Sequence, residues 1–225
     1  MAYELFTKDI PRIRGVLFDM DGLVLDTEKL YCRFWAEAAQ ALGFPMTHEQ
    51  SLGMRSLNKV WGQEKLTSYF GPEADYSAIR EKRIELMNAY VAVHGIDPKP
   101  GIRELLDYLD QNDIRCAITS SSPLPWIEKH LGGQGLAHRF TALCSGHNMP
   151  NGKPAPDIYL AGAAAIGVAP EHCLAIEDSP AGLEAAWRAG CMPIIVPDQD
   201  QPSDEVLSRC FARADSLFDV MELIG

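Results

Sequence analysis

Short apolar runs recur at residues 15–18, 115–119, 141–144, 173–176 and 192–196, and segments of helical periodicity lie between them at 101–111, 123–131, 156–166 and 181–189. That alternation leaves few folds open. Continuous apolar runs of this length suit strands buried on both faces, and intervening helices of crossover length make those strands parallel. Helices then cover both faces of one sheet. The expected fold is α/β, with a doubly wound, Rossmann-like parallel sheet as its core.

One interval breaks the alternation. Between residues 27 and 96 there is no convincing strand, and the apolar stripe Leu30, Phe34, Ala38, Ala41 and Leu42 begins a series of helix-like segments. Further helices are expected at 48–52, 57–69 and 76–93, with Gly71-Pro72 as punctuation and the run 97–101, DPKPG, as the return to the core. The chain therefore divides into a core domain of residues 1–26 and 97–225 and an inserted α-helical cap domain of residues 27–96. Because the insertion follows directly on the most chemically suggestive segment of the chain, a lid is the expected role.

Composition bounds the partners. The chain has 225 residues, is 47% hydrophobic, and carries 20 basic against 31 acidic residues for a formal charge of -11. Nucleic acid and anionic membranes attract basic surfaces, so neither is expected as a partner. The first residues, MAYELFTKDIPRIRG, hold no apolar segment of signal-peptide length, and nothing later approaches a membrane span. A soluble, cytoplasmic protein is expected, with a monomer as the default. Six scattered cysteines form no CxxC pair, and six dispersed histidines form no HxH or HExxH, so neither zinc nor redox chemistry is indicated.

The chemistry concentrates at residues 19–28, DMDGLVLDTE, directly after the first apolar run. Side chains at i and i+2 of extended chain point the same way, and Gly22 lets the backbone turn sharply behind Asp19 and Asp21. Two acids facing one point favour a metal. A lone DxD is weak evidence, since Asp198 and Asp200 form a second one in a polar stretch that reads as a solvated loop. Three later segments add weight. TSSS at 119–122 offers hydroxyls and N–H groups at a strand end leading into a helix; it suits either phosphate oxygens or a plain N-cap. GKPAPD at 152–157 holds Lys153 in a turn stiffened by flanking prolines, where it can neutralise a phosphoryl group or serve as an ordinary surface lysine. Glu177-Asp178-Ser179 places acids at another strand end, although Pro180 also suits a first helical turn.

In this order the four segments resemble the four motifs of the haloacid dehalogenase superfamily, over nearly the whole chain from Val16 to about Val196. The chain is most similar to its β-phosphoglucomutase and sugar-phosphatase branch, whose helical cap follows the first motif. The resemblance implies Asp19 as nucleophile and Asp21 as general acid and base. It further implies Ser120, Ser121 and Lys153 as phosphate holders and Asp178 as a Mg²⁺ ligand beside Asp19. The backbone carbonyl of Asp21 completes that set, and Glu177 supports the metal directly or through water. In the cap, the run 52–55, LGMR, resembles the branch's specificity loop, and Arg55 is a candidate for binding the substrate.

The charges are consistent with those roles. Asp19, Asp21 and Asp178 bring three negative charges together and a phosphate monoester adds about two more. Mg²⁺ and Lys153 offset three, and an oxygen-only donor set suits Mg²⁺ better than zinc. The expected function is Mg²⁺-dependent hydrolysis of a small phosphorylated metabolite, a sugar or polyol phosphate, through an aspartyl phosphate. A phosphomutase is the nearest alternative, and the position matching the mutase cap histidine holds Tyr31. A non-catalytic binding module on the same fold is a further one.

Overall fold

The computed structural model describes residues 3–6, 12–54, 57, 59–198 and 202–225. The chain forms two compact units, Met1–Leu25 with Asp97–Gly225, and Asp26–Ile96.

The first unit is built on a seven-stranded sheet. Its strands are β1 (Tyr3–Leu5), β2 (Gly15–Phe18), β3 (Arg115–Ser120), β4 (Ala142–Ser145), β5 (Cys173–Glu177), β6 (Met192–Ile195) and β7 (Ala212–Ala214), in the spatial order β1-β7-β6-β5-β2-β3-β4. All pairings are parallel except that of the edge strand β1 with β7. Val16, Leu17 and Phe18 are fully buried, as are Leu174, Ala175 and Ile176, because helices cover both faces of the sheet. Among those helices are α5 (Ile102–Gln111), α6 (Leu124–Gly133), α7 (Asp157–Ile166) and α8 (Pro180–Arg188).

The order reverses at β2, since the chain builds β3 and β4 on one side and β5 to β7 on the other. Ligands of open α/β sheets bind beyond the carboxyl ends of the strands at such a point. Register sharpens the location. Phe18 lies opposite both Ile118 and Ile176, so Asp19, the end of β3 and the end of β5 emerge at one level of the sheet.

The strands β1 and β7, at one margin of the sheet, are absent from the sequence pattern. Each has three residues, and Ala212-Arg213-Ala214 offers no β-branched or aromatic side chain to mark it. The C-terminal helices α9 (Asp204–Leu207) and α10 (Leu217–Ile224) also escape the pattern; Ser203 and Ser216 cap them by accepting the backbone N–H groups of Val206 and Asp219. The described cysteines are free thiols. Burial pushes Cys116, Cys191 and Cys210 up to about 12, which keeps them as small hydrophobes.

The second unit contains α1 (Thr27–Ala41), α2 (His48–Leu52), α3 (Lys59–Phe70) and α4 (Tyr76–His94) around Trp35, Ala38, Met54, Leu66, Tyr76 and Ile79. Local signals start these helices. Thr47 and Gln50 form a capping box at α2, and the Asp75 carboxylate accepts the Ala78 N–H at 2.9 Å to open α4. The buried stripe of α1 runs through Cys32, Phe34, Trp35, Ala38 and Ala39, whereas Ala41 and Leu42 are exposed. The stripe read from the sequence is displaced at its ends because the bulk of Trp35 turns that face inward.

Candidate active site

The turn after β2 sets up the site. Met20 is fully buried and its carbonyl accepts the N–H groups of Val24 and Leu25 at 3.0 Å each, while Gly22 adopts φ 88°, a left-handed conformation that glycine takes without steric cost. Burying Met20 places Asp19 and Asp21 on the other side of the extended chain. The two acids then have different neighbours.

Asp19 faces Lys153. The ammonium donates to Asp19 Oδ1 at 2.5 Å and to Glu177 Oε1 at 2.6 Å; Asp19 and Glu177 are buried and Lys153 is largely so. Glu177 also accepts from the Tyr159 hydroxyl through Oε1 and from the Ser179 hydroxyl at 3.0 Å through Oε2. Tyr159, on α7, was not anticipated. It comes in because Gly162 lets α7 press on the sheet: a β-carbon there would lie 2.5 Å from Thr119 Cγ2 and 3.2 Å from Leu17 Cδ2. Gly182, in the first turn of α8, has a parallel role, since a β-carbon there would lie 1.8 Å from Glu177 Oε1. The amino end of α8 is thereby packed directly over the Glu177 carboxylate, where the helix dipole favours negative charge.

Asp21 faces the end of β3. Its Oδ2 accepts from the Ser122 hydroxyl at 2.8 Å and the Ser120 hydroxyl at 3.3 Å, and the Ser122 N–H donates to Ser120 Oγ at 3.0 Å. Ser121 between them is exposed. The hydroxyl repeat in 119–122 was legible, but only the hydrogen bonds of the folded chain show that the pair on Asp21 is Ser120 and Ser122. Arg55 lies outside the described residues.

The electrostatics follow from burial and count. Desolvation pushes Asp19 up to about 7; the Lys153 charge opposes the rise, and Glu177 and Asp21 add to it. Burial alone would lower Lys153, but the carboxylates of Asp19 and Glu177 outweigh it and hold the ammonium well above its ordinary value. Burial and the Glu177 charge likewise keep Tyr159 protonated, as its role of donor requires.

Asp19, Glu177 and Asp178 each present a carboxylate oxygen within 4.8 Å of the others. The donors are all hard oxygens, so the residues present fit Mg²⁺. They do not fit it equally. Both Glu177 oxygens accept from protein donors, which commits this carboxylate to Lys153, Tyr159 and Ser179 and favours Asp19 and Asp178 as direct ligands. The second aspartate pair is also resolved in part: Asp198 accepts from Lys99 at 2.6 Å in a half-buried ion pair, so it is a structural contact of the return segment and not a solvated residue. Asp200 lies outside the described residues.

A family model described as haloacid dehalogenase-like hydrolase matches residues 16–196. A phosphorylated carbohydrates phosphatase of Thermotoga maritima is 30% identical over 178 residues, 79% of this chain and 82% of that protein. Hexitol phosphatase B of Escherichia coli K12 is 31% identical, over 86% of this chain and 87% of its own length. Among solved structures, a Thermotoga maritima protein assigned as a β-phosphoglucomutase superposes with a TM-score of 0.78 at 25% identity, covering 94% of this chain and 98% of that one.

Proposed function

We infer, from the haloacid dehalogenase-like hydrolase family to which this chain belongs, that it hydrolyses a small phosphorylated sugar or polyol through an aspartyl phosphate. The observation that carries the reading is the pairing at the end of β2. One aspartate sits against a buried ammonium, and the other, two residues on, is held by hydroxyls.

Asp19 is the nucleophile. Lys153 fixes its carboxylate and offers a positive charge to the incoming phosphoryl group, and Glu177, Tyr159 and Ser179 fix Lys153 in turn. The Asp19 oxygen forms a bond to phosphorus as the bond to the ester oxygen breaks. Asp21, oriented by Ser120 and Ser122, gives its proton to the departing alkoxide. The ionised Asp21 then takes a proton from water, whose oxygen attacks phosphorus, breaks the aspartyl–phosphate bond and releases inorganic phosphate. Asp21 ends protonated and Asp19 ionised. Asp19, Asp178 and the backbone carbonyl of Asp21 would hold Mg²⁺, with Glu177 acting through Lys153. When bound, the ion supplies charge neutralisation between the carboxylates and the phosphate.

The segment Asp26–Ile96 is proposed as a lid over this chemistry. Its two connections to the core are tied together, since Leu25 forms an antiparallel bridge with Pro98 and Lys99 N–H donates to Val24 O at 2.9 Å. The hydrolytic outcome is favoured over phosphomutase activity by Tyr31, which stands where the mutase histidine is expected. Its ring lies against the Arg83 guanidinium, 4.7 Å from the ring centre, and a tyrosine in general lacks the basic nitrogen that a histidine offers there. The deciding experiment incubates purified protein and Mg²⁺ with a panel of sugar and polyol phosphates, following free phosphate and positional isomers together. Phosphate release without isomer exchange is expected; rapid exchange with little release would establish the mutase.

A further inference from the structure

The turn that carries Lys153 is entered through Asn151-Gly152. Of the asparagines in the chain, at 58, 88, 112, 148 and 151, this is the one followed by glycine; the others precede Lys59, Ala89, Asp113 and Met149. An asparagine amide is thermolabile because the next backbone nitrogen can attack its carbonyl carbon. Glycine in the next position removes the side chain that would hinder that approach.

The fold does not shield this step. Asn151 and Gly152 are both exposed and lie in the irregular segment between β4 and α7. No described residue accepts a hydrogen bond from the Gly152 N–H, so nothing holds the attacking nitrogen. A β-carbon on Gly152 would meet nothing within 4 Å, which leaves the surrounding space open. The Asn151 amide has one restraint, a bond from Nδ2 to Asp157 Oδ1 at 3.1 Å. It is exposed, and the net worth of such a bond is small.

We propose that Asn151 is a site of spontaneous deamidation that displaces Lys153 from its carboxylate partners. The Gly152 nitrogen loses its proton and bonds to Asn151 Cγ, and the bond from Cγ to Nδ2 breaks as ammonia leaves with a proton. Water then opens the cyclic imide. Opening at the side-chain carbonyl gives aspartate; opening at the main-chain carbonyl gives isoaspartate, whose backbone runs through Cγ and is longer by a carbon. Water is consumed and ammonia is released. The added carbon enters just ahead of a closely specified turn. Ala155 N–H donates to Gly152 O at 2.9 Å and Arg188 donates to Pro154 O at 3.3 Å, while Lys153 between them reaches Asp19 and Glu177. Isoaspartate is therefore the damaging product. Aspartate adds only a charge, which repels Asp157 but lies near the amino end of α7, where negative charge is favoured.

The test incubates purified protein at mildly alkaline pH and maps its peptides by mass, with isoaspartate counted by a carboxyl methyltransferase that labels it from S-adenosylmethionine. Fragmentation should place the amide-to-acid mass gain at Asn151, ahead of Asn88, Asn112 and Asn148. A lower-melting population should grow with the isoaspartate fraction, and phosphate release should fall by the same fraction. Gly152→Ala should slow the conversion and Asn151→Gln should prevent it, whereas fresh Asn151→Asp, with the charge but not the added carbon, should melt and turn over like the native protein. An intact Asn151 in folded protein, while a synthetic peptide of residues 148–155 converts alongside, overturns the site. Complete conversion to isoaspartate with native melting and turnover overturns the displacement of Lys153, and so does Asn151→Asp if it shows the whole loss. The mass and melting readouts do not depend on phosphatase activity, so a protein inert towards every ester would retire that reading and still test this one.

Discussion

As the proposed nucleophile, Asp19 has the most exacting position of any residue here, since that role asks it to be shielded from water and yet ionised. Burial pushes it up to about 7, and Lys153 works against that rise. Asp19→Asn should leave a folded protein and reduce turnover by several orders of magnitude, because an amide oxygen is a poor nucleophile. Substantial phosphate release by the purified variant would remove the covalent mechanism. Tyr159 acts at one remove. Tyr159→Phe deletes the hydroxyl that donates to buried Glu177, and a lost hydrogen bond to a charged group costs about 1.5–3 kcal/mol. A lowered denaturation midpoint should accompany a fall in kcat, since Lys153 depends on Glu177; unchanged stability and kcat would show that the phenol contributes nothing to holding the pair.

At the scale of elements, the site depends on how closely two helices approach the sheet. α7 touches β2 and β3 through Gly162, and α8 covers Glu177 through Gly182. Gly182→Ala would put a methyl 1.8 Å from Glu177 Oε1, so either the first turn of α8 or the carboxylate must move. Overpacking of this kind costs about 1–3 kcal/mol. Because the displaced group holds Lys153, catalysis should fall further than the stability loss alone explains. Parallel melting and steady-state assays would check this, and a variant with wild-type activity would mean that the α8 turn yields without disturbing the charge centre. Helix propensity by itself would have made the same substitution favourable.

For the whole molecule, the charge centre couples stability to pH and metal. Asp19 has a folded-state value of about 7 against 3.8 for an unperturbed carboxylate, so between those values the folded state binds more protons than the unfolded chain. Its contribution is fully present below about pH 4 and is lost as pH rises through 7, with an upper bound of about 4 kcal/mol. Without metal, the melting temperature of the native protein should therefore fall relative to Asp19→Asn between pH 5 and 7.5, and Mg²⁺ should recover it at pH 7.5. Parallel pH curves for the two proteins would remove this account. Chelation should abolish phosphate release and added Mg²⁺ should restore it; full activity after exhaustive chelation would exclude the ion from the reaction.

The alternation of apolar runs and helical segments determined the α/β architecture, because strands buried on both faces leave a continuous signature that local periodicity detects. Asp19, Asp21 and Glu177 were legible as candidates because each follows or ends such a run, Lys153 because prolines stiffen the turn that holds it, and their order resembles a known set of motifs. The strands β1 and β7 were not legible, since three residues pairing at one margin of the sheet owe their conformation to the neighbour and not to their own side chains. Nor were Tyr159 and Ser122, or the burial of Arg83. Tyr159 lies in a helix where an aromatic suits any core, and only the contact through Gly162 turns it toward Glu177. Arg83 reads as one more charge on a polar helix until packing removes it from water and places it between two rings. The sequence determined which side chains exist at each strand end, and tertiary structure decided which became neighbours, because hydrogen bonds and desolvation act through space between residues far apart in the chain.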